Sequence, residues 1–346
     1  MKSKAVGCGV LDAPQNNRTG RCYYHAATRI LSLIVSLAML FSITAGIDLS
    51  VFAQTPISGK CGANVNYYFD KTSGTLTISG TGKMYDYDLS EDYSFWDLDR
   101  ELVESYNTCI EKIIINSGVT TIGEYAFTEL WNLSNVLIPD SVTKIGQDAF
   151  ACCHSLKSIY IPDSVTYIGL CAFEHCESLS EIHLSKNLTE IPGYMLCKTN
   201  IKELDIPSKV KTIYWDAFCG CKNLENVNIS NGVSTIHWEA FRDCENLKSI
   251  ILPSSVSYVG PDIFDNCSNL TSISIYNRNC DIDDRENTFP DKATIYGYRN
   301  STAQQYAKKY SRKFIELAEH PSQKKFNDIK NYDAYNDFVS YAAINN

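Results

Sequence analysis

Apolar residues recur along the chain at a fixed long period. Ile113, Val136, Ile159, Ile182, Leu204, Val227, Ile250 and Ile273 stand 23 residues apart, except for one step of 22 between Ile182 and Leu204. Phe127, Phe150, Phe173, Leu196, Phe218, Phe241 and Phe264 keep the same step and share the deletion. Two ladders that agree on one missing residue mark a tandem repeat. In the unit from Leu156 to Leu179, Ile159, Tyr160 and Ile161 alternate with a period of two, which predicts a short strand with one buried face. Pro162 has no amide hydrogen to extend a ladder and ends that strand. Val165 and Ile168 form a second short extended piece, after which Gly169 supplies a turn needing positive φ. Ala172, Phe173, Cys176 and Leu179 follow at three- and four-residue steps, the spacing of a helical turn.

No unit of this size buries its own apolar face, so the units must stack, each coil covering the next. The pattern predicts a solenoid of seven coils of about 23 residues over 110–293, with a parallel β-sheet on one side and short helical turns on the other. Residues 54–109 precede it as a β-rich cap. The run Gly74-Thr75-Leu76-Thr77-Ile78-Ser79-Gly80-Thr81-Gly82 alternates like a strand between glycine turns. A small α/β cap over 294–317 closes the other end: a strand at 294–297, a helix capped by Ser301 or Thr302 and running to Lys309, and a strand at 314–317.

The order strand, Pro, Val-x-x-Ile-Gly, Ala-Phe-x-x-Cys, Leu resembles the BspA-like leucine-rich repeats of bacterial surface proteins. The resemblance spans about residues 110–293, and Cys61-Gly62 with Tyr85-Asp86-Tyr87 resembles the β-rich leader of that family. It implies a leucine-rich-repeat solenoid that is secreted or held at the cell surface and that attaches to host matrix proteins or to other cells. Residues 318–346 differ in character. His320 to Lys325 is a polar linker, and Phe326, Tyr335, Phe338, Tyr341 and Ala342 resemble the opening helix of an S-layer homology module, incomplete at Asn346. That resemblance implies attachment to cell-wall polysaccharide.

Residues 1–53 read as a signal peptide: Arg21 and Arg29 precede an apolar run from Ile30 to Ile43, and Val51-Phe52-Ala53 offers a cleavage site. The run is too short for the roughly 20 residues of a membrane span, so no span is expected after cleavage. These residues carry five of the 31 Lys and Arg and two of the 40 Asp and Glu, so net charge falls from −9 to −12 without them. An acidic surface argues against nucleic acid and anionic lipid as partners.

Fourteen cysteines in a secreted chain invite disulfides. Cys153, Cys176, Cys221, Cys244 and Cys267, however, occupy one repeat position, where side chains point the same way and bridge poorly. They are expected to be buried structural thiols beneath the structural ladder Phe127, Phe150, Phe173, Phe218, Phe241 and Phe264. The pairing of the remaining cysteines is not legible. Cys152-Cys153-His154 with His175 is the nearest approach to a metal site, but it lacks a Cys-x-x-Cys pair, and no metal or cofactor is expected. His154, His175, His183 and His237 lie on separate coils with no nucleophile motif, so no catalytic residue is assigned and no enzyme is expected.

Two surfaces remain as candidates for ligand binding. Where most coils carry glycine after Val-x-x-Ile, two carry Tyr214-Trp215 and His237-Trp238, which places Trp215 over Trp238 and Tyr214 over His237. The rings either bind or merely cover the corner. Tyr160, His183, Asp205 and Asn228 form a row on the outer sheet face, either a binding surface or an ordinary solvated one. The leading expectation is a non-catalytic recognition or adhesion protein that binds an extracellular protein. A carbohydrate-binding module and a spacer in a larger wall-attached protein are the alternatives.

Overall fold

The computed structural model describes residues 57–87 and 109–318. The signal segment, residues 88–108 of the leader, and the linker with its S-layer-like helix therefore lie outside the described residues. The chain forms two compact units, residues 1–159 with 172–179, and residues 160–171 with 180–346.

In the first unit Ile57–Lys60, Val65–Asp70 and Thr75–Gly80 form an antiparallel meander. Its last strand then pairs in parallel with Lys112–Ile115, which pairs with Asn135–Leu137. A second parallel ladder joins Gly82–Lys83, Val119–Ile122 and Lys144–Ile145. In the second unit short strands stack from Glu190–Ile191 through Thr212–Ile213, Thr235–Ile236 and Tyr258–Val259 to Asp281–Ile282. On the other side Glu203–Ile206 pairs with Asn226–Ile229, and Ser249–Leu252, Ser272–Ile275, Thr294–Gly297 and Phe314–Glu316 continue in parallel. The missing residue is visible in the register: Glu190 opposes Thr212, 22 positions on, whereas Thr212 opposes Thr235, 23 on.

This is a parallel β-solenoid of about nine turns, not seven coils. The difference arises at the caps. The strand at 75–80 belongs to the leader by sequence but takes the position of a repeat strand, and 294–297 does the same at the other end. Between 302 and 309 the chain forms the only α-helix among the described residues, its first turn capped by the Ser301 hydroxyl accepting from the Gln304 amide.

The apolar ladders form the core. Phe127, Phe150 and Phe173 stack at centroid distances of 5.3 and 5.5 Å in the first unit. Phe218, Phe241 and Phe264 stack at 5.1 and 5.7 Å in the second. All six are at most 1% exposed.

The expected helical turns are not helices. The segment is a run of turns in which a residue with left-handed backbone recurs, such as Tyr125 (φ 56°), Glu129 (61°), Asp148 (51°) and Cys152 (59°). Such a φ costs about 1–2 kcal/mol for a non-glycine residue. It is offset because alternate amides then point along the stack. Tyr125, Phe127 and Glu129 donate to the carbonyls of Gln147, Ala149 and Ala151 in the next coil, at 2.7–2.8 Å. A helix would spend those amides within its own coil. Apolar residues three and four apart suit both arrangements, so spacing alone did not separate them.

The glycine column also has a different cause from the one expected. Among the described residues positive-φ glycines are Gly74, Gly80, Gly82, Gly118 and Gly220, none of them in this column. Its glycines are there because backbones touch. A Cβ on Gly123 would lie 1.7 Å from the Tyr85 carbonyl oxygen, and one on Gly146 2.5 Å from the Glu124 nitrogen.

The cysteine column has a specific role. Each Sγ donates to a main-chain carbonyl of the preceding coil: Cys153 to Phe127 (3.3 Å), Cys176 to Phe150 (3.1 Å), Cys221 to Leu196 (3.1 Å), Cys244 to Phe218 (3.3 Å) and Cys267 to Phe241 (3.0 Å). The coil of Leu196 places Thr199 there instead, and its hydroxyl donates within its own coil, to the Leu196 carbonyl at 2.8 Å. Five coils thus place a thiol donor there and one a hydroxyl, while the coil of Phe127 places the buried Leu130. All twelve described cysteines are free thiols, and Cys109 alone among them is exposed. Burial pushes the Cys221 thiol up to about 12 and holds Cys153 and Cys244 well above the ordinary range, which removes the reactive thiolate. Native labelling with maleimide, read by peptide mass spectrometry, is therefore expected to modify Cys109 and to reach the five column cysteines only after unfolding.

Candidate functional site

The corner of the second unit carries the aromatic residues singled out by the sequence. Trp215 stacks on Trp238 with centroids 5.8 Å apart and planes 11° apart, and Tyr214 stacks on His237 at 5.2 Å and 7°. Tyr258 adds an edge contact to His237 at 6.3 Å. All four corner residues are half-buried. Burial, with the Glu190 carboxylate second, raises the Tyr214 hydroxyl, and burial lowers His237. Gly193 was not anticipated as part of this corner. A Cβ there would lie 2.8 Å from the Trp215 Nε1, so one side of the indole rests on a bare backbone while Trp238 covers the other. Trp215 therefore presents its edge to solvent.

Below Trp215 the next residue enters an ion-pair network. The Asp216 side chain is 2% exposed and meets Arg242 Nη2 at 3.0 Å, while Arg242 also pairs with Glu239 and, at 3.6 Å, with Asp243. The two partners of the buried pair shift in ways that need reconciling. Arg242 is raised, so its charge is favoured, whereas Asp216 is raised, so its charge is disfavoured. Burial penalises both charges, but Arg242 is surrounded by Asp216, Cys219 and Glu239, which together outweigh the penalty, whereas Asp216 has Arg242 as its cationic partner and Asp243 opposing its charge, so burial prevails there. An acid held above its ordinary value of 3.8 stabilises the fold fully below that value and loses the contribution as pH rises through its folded pKa. Asp216→Asn mimics the neutral form and keeps a residue tolerant of φ 50°. Its melting temperature is expected to exceed that of the wild type at pH 7, with the gap closing toward pH 4; a gap that widens on acidification contradicts this.

The row on the outer sheet face lies wholly in the second unit. Tyr160 is 56% exposed and stacks on His183, with centroids 4.7 Å apart and planes 5° apart. Asp205 accepts from Asn228 Nδ2 at 3.1 Å, and one column over Glu203 accepts from Asn226 Nδ2 at 3.2 Å. Strand pairing sets both bonds, since Asp205 opposes Asn228 and Glu203 opposes Asn226. Two separate two-stranded sheets thus order the row as two pairs, ring on ring at Tyr160 and His183 and amide on carboxylate at Asn228 and Asp205.

Among the other described histidines, His154 is tied to the scaffold. His154 Nδ1 bonds the His175 carbonyl at 3.0 Å, and neighbouring Cys153 donates to the Phe127 carbonyl, so both are held by the main chain of the repeat.

A family model described as the BspA type leucine-rich repeat region matches residues 105–225 and 191–290, in six copies. The chain belongs to this family. The BspA-type membership marks it as an extracellular or surface repeat protein, and no described helix is long and apolar enough to cross a membrane. No curated protein matches the chain. Among solved structures, a leucine-rich repeat protein from Bacteroides ovatus is 25% identical, with 68% of this chain and 70% of that one covered and a TM-score of 0.46. The leucine-rich repeat protein of T. pallidum is 21% identical over 75% of this chain and 100% of that one, at a TM-score of 0.42. A leucine-rich cell surface protein from Faecalibacterium prausnitzii is 18% identical over 80% and 98%, at 0.34.

Proposed function

We infer that this BspA-type protein is a non-catalytic recognition protein outside the cell, which binds a partner protein through the sheet face of its second unit. One observation carries the reading: Tyr160 holds more than half of its surface in solvent while its ring is already ordered against His183. An aromatic ring kept out of the core adds little to folding but is the side chain that most often dominates a protein interface. Ordering it beforehand reduces the entropy lost on association. The Trp215–Trp238 corner is the weaker candidate, and with it the carbohydrate alternative, because a sugar ring stacks on an open aromatic face and Gly193 and Trp238 close both sides of Trp215.

The test is surface plasmon resonance of the whole chain against immobilised host matrix proteins. The Tyr160→Ala/His183→Ala variant is expected to lose about 2 kcal/mol, roughly thirtyfold in affinity, with an unchanged melting temperature. Equal binding by the variant, together with loss of binding in Trp215→Ala/Trp238→Ala, would move the site to the corner.

A further inference from the structure

The outer face of the second unit has a one-sided charge. Its outward strand positions, exposed or half-buried, form two columns. One runs Glu181, Glu203, Asn226, Ser249, Ser272, Thr294; the other runs Tyr160, His183, Asp205, Asn228, Ile251, Ser274, Tyr296. Neither column contains a lysine or arginine. The nearest lysines on these coils, Lys202 and Lys248, stand one residue before their strands. Glu181, Glu203 and Asp205 are all exposed.

The neighbours of these carboxylates order them without neutralising them. Asn226 donates to Glu203 Oε1 and Asn228 to Asp205 Oδ1, so these two acids are each held by a neutral amide. A carboxylate has about four acceptor sites, and one amide hydrogen leaves most of them open. Ordered acids without an ordered cation are prepared for a cation from outside. The Tyr160 ring, two coils before Asp205 in the same column, narrows its chemistry, since a planar guanidinium stacks on an aromatic face and pairs with a carboxylate through two parallel bonds, whereas an ammonium does neither as well.

We propose that the occupant of this face is an arginine-rich segment of the partner protein, which pairs with Glu181, Glu203 and Asp205 and stacks on the Tyr160–His183 pair. This rests on the reading that the face is the binding surface. A second copy of this net acidic chain would bring like charge against like, and an anionic glycan would be repelled in the same way.

Fluorescence anisotropy of the whole chain with labelled nona-arginine, nona-lysine and nona-glutamate peptides at physiological salt tests it. Nona-arginine is expected to bind more tightly than nona-lysine, and nona-glutamate not at all. The exposed variant Glu203→Gln/Asp205→Asn is expected to weaken nona-arginine at least tenfold. The control Glu111→Gln/Asp140→Asn, an equal change of charge on the first unit, is expected to change it less than twofold. Tyr160→Ala is expected to narrow the preference for arginine over lysine. Equal losses in the acidic variant and the control would show diffuse attraction and overturn the proposal. Matrix-protein binding lost in Tyr160→Ala but kept in Glu203→Gln/Asp205→Asn would preserve the face and overturn its cationic occupant. Binding untouched by either would overturn the face as well.

Discussion

Phe241→Ala is expected to destabilise the second unit by about 3–5 kcal/mol, the usual range for deleting a fully buried aromatic ring. Phe241 is fully buried between Phe218 at 5.1 Å and Phe264 at 5.7 Å, so the cavity opens on two neighbours at once. Those neighbours cannot close in, because their coils are tied by main-chain bonds from Phe218 to the Ala240 carbonyl and from Phe241 to Ile263, both 2.9 Å. The loss is not confined to one coil. In a stack each coil is stabilised mainly by its neighbours, so a weakened interface is expected to uncouple the coils on either side. Urea denaturation should show both a lower midpoint and a broader transition; a midpoint within 0.5 M of wild type would mean that the phenylalanine stack is not the core.

Gly146→Val is expected to be nearly as damaging, at about 3 kcal/mol, the upper end of the overpacking range. A Cβ at 146 would lie 2.5 Å from the Glu124 nitrogen, 2.6 Å from the Gly123 carbonyl carbon and 2.7 Å from the Glu124 Cα. All three are backbone atoms of the coil beneath, so no rotamer change relieves the contact. The coils would have to move apart, and the parallel pairing of Thr121 with Lys144 and of Ile122 with Ile145 would go with them. Gly146→Ala should fall between wild type and the valine variant. Thermal melts of the three proteins check the order.

The aromatic corner shows how far such contact depends on the coil. Tyr214 and His237 occupy the column that holds Gly123 and Gly146 elsewhere. The sequence showed the substitution and the stacking partners, since rings one repeat apart must face each other. It did not show that Gly193, which holds the Trp215 position one coil earlier, makes room for the indole. The two residues share one column across the single 22-residue step, but residue types alone do not say how closely the indole approaches the neighbouring backbone. The role of Asp216 was hidden for a different reason. Its partner Arg242 lies one coil on and three residues further along, a diagonal contact that no ladder displays.

Local conformation was the least legible level. Ala172, Phe173, Cys176 and Leu179 carry the spacing of a helix, yet the segment turns through left-handed residues because its amides find better partners in the neighbouring coil. The glycines looked like turn residues and proved to be contact points between backbones. In both cases the deciding group lies on a neighbouring coil, 22 or 23 residues away at Gly146 and 38 at Gly123. The binding row was legible as a row, but only the sheet register showed that Asn228 and Asn226 orient the carboxylates of Asp205 and Glu203.

By itself the sequence determined the period, the single deletion, the buried ladders and the identity of the thiol column, because a stack of equivalent coils turns positions in the chain directly into positions in space. Tertiary structure decided which amides bond between coils, where backbones touch, and which charges are paired. Those depend on a few tenths of an ångström between neighbouring coils, a distance that no pattern of residue types encodes.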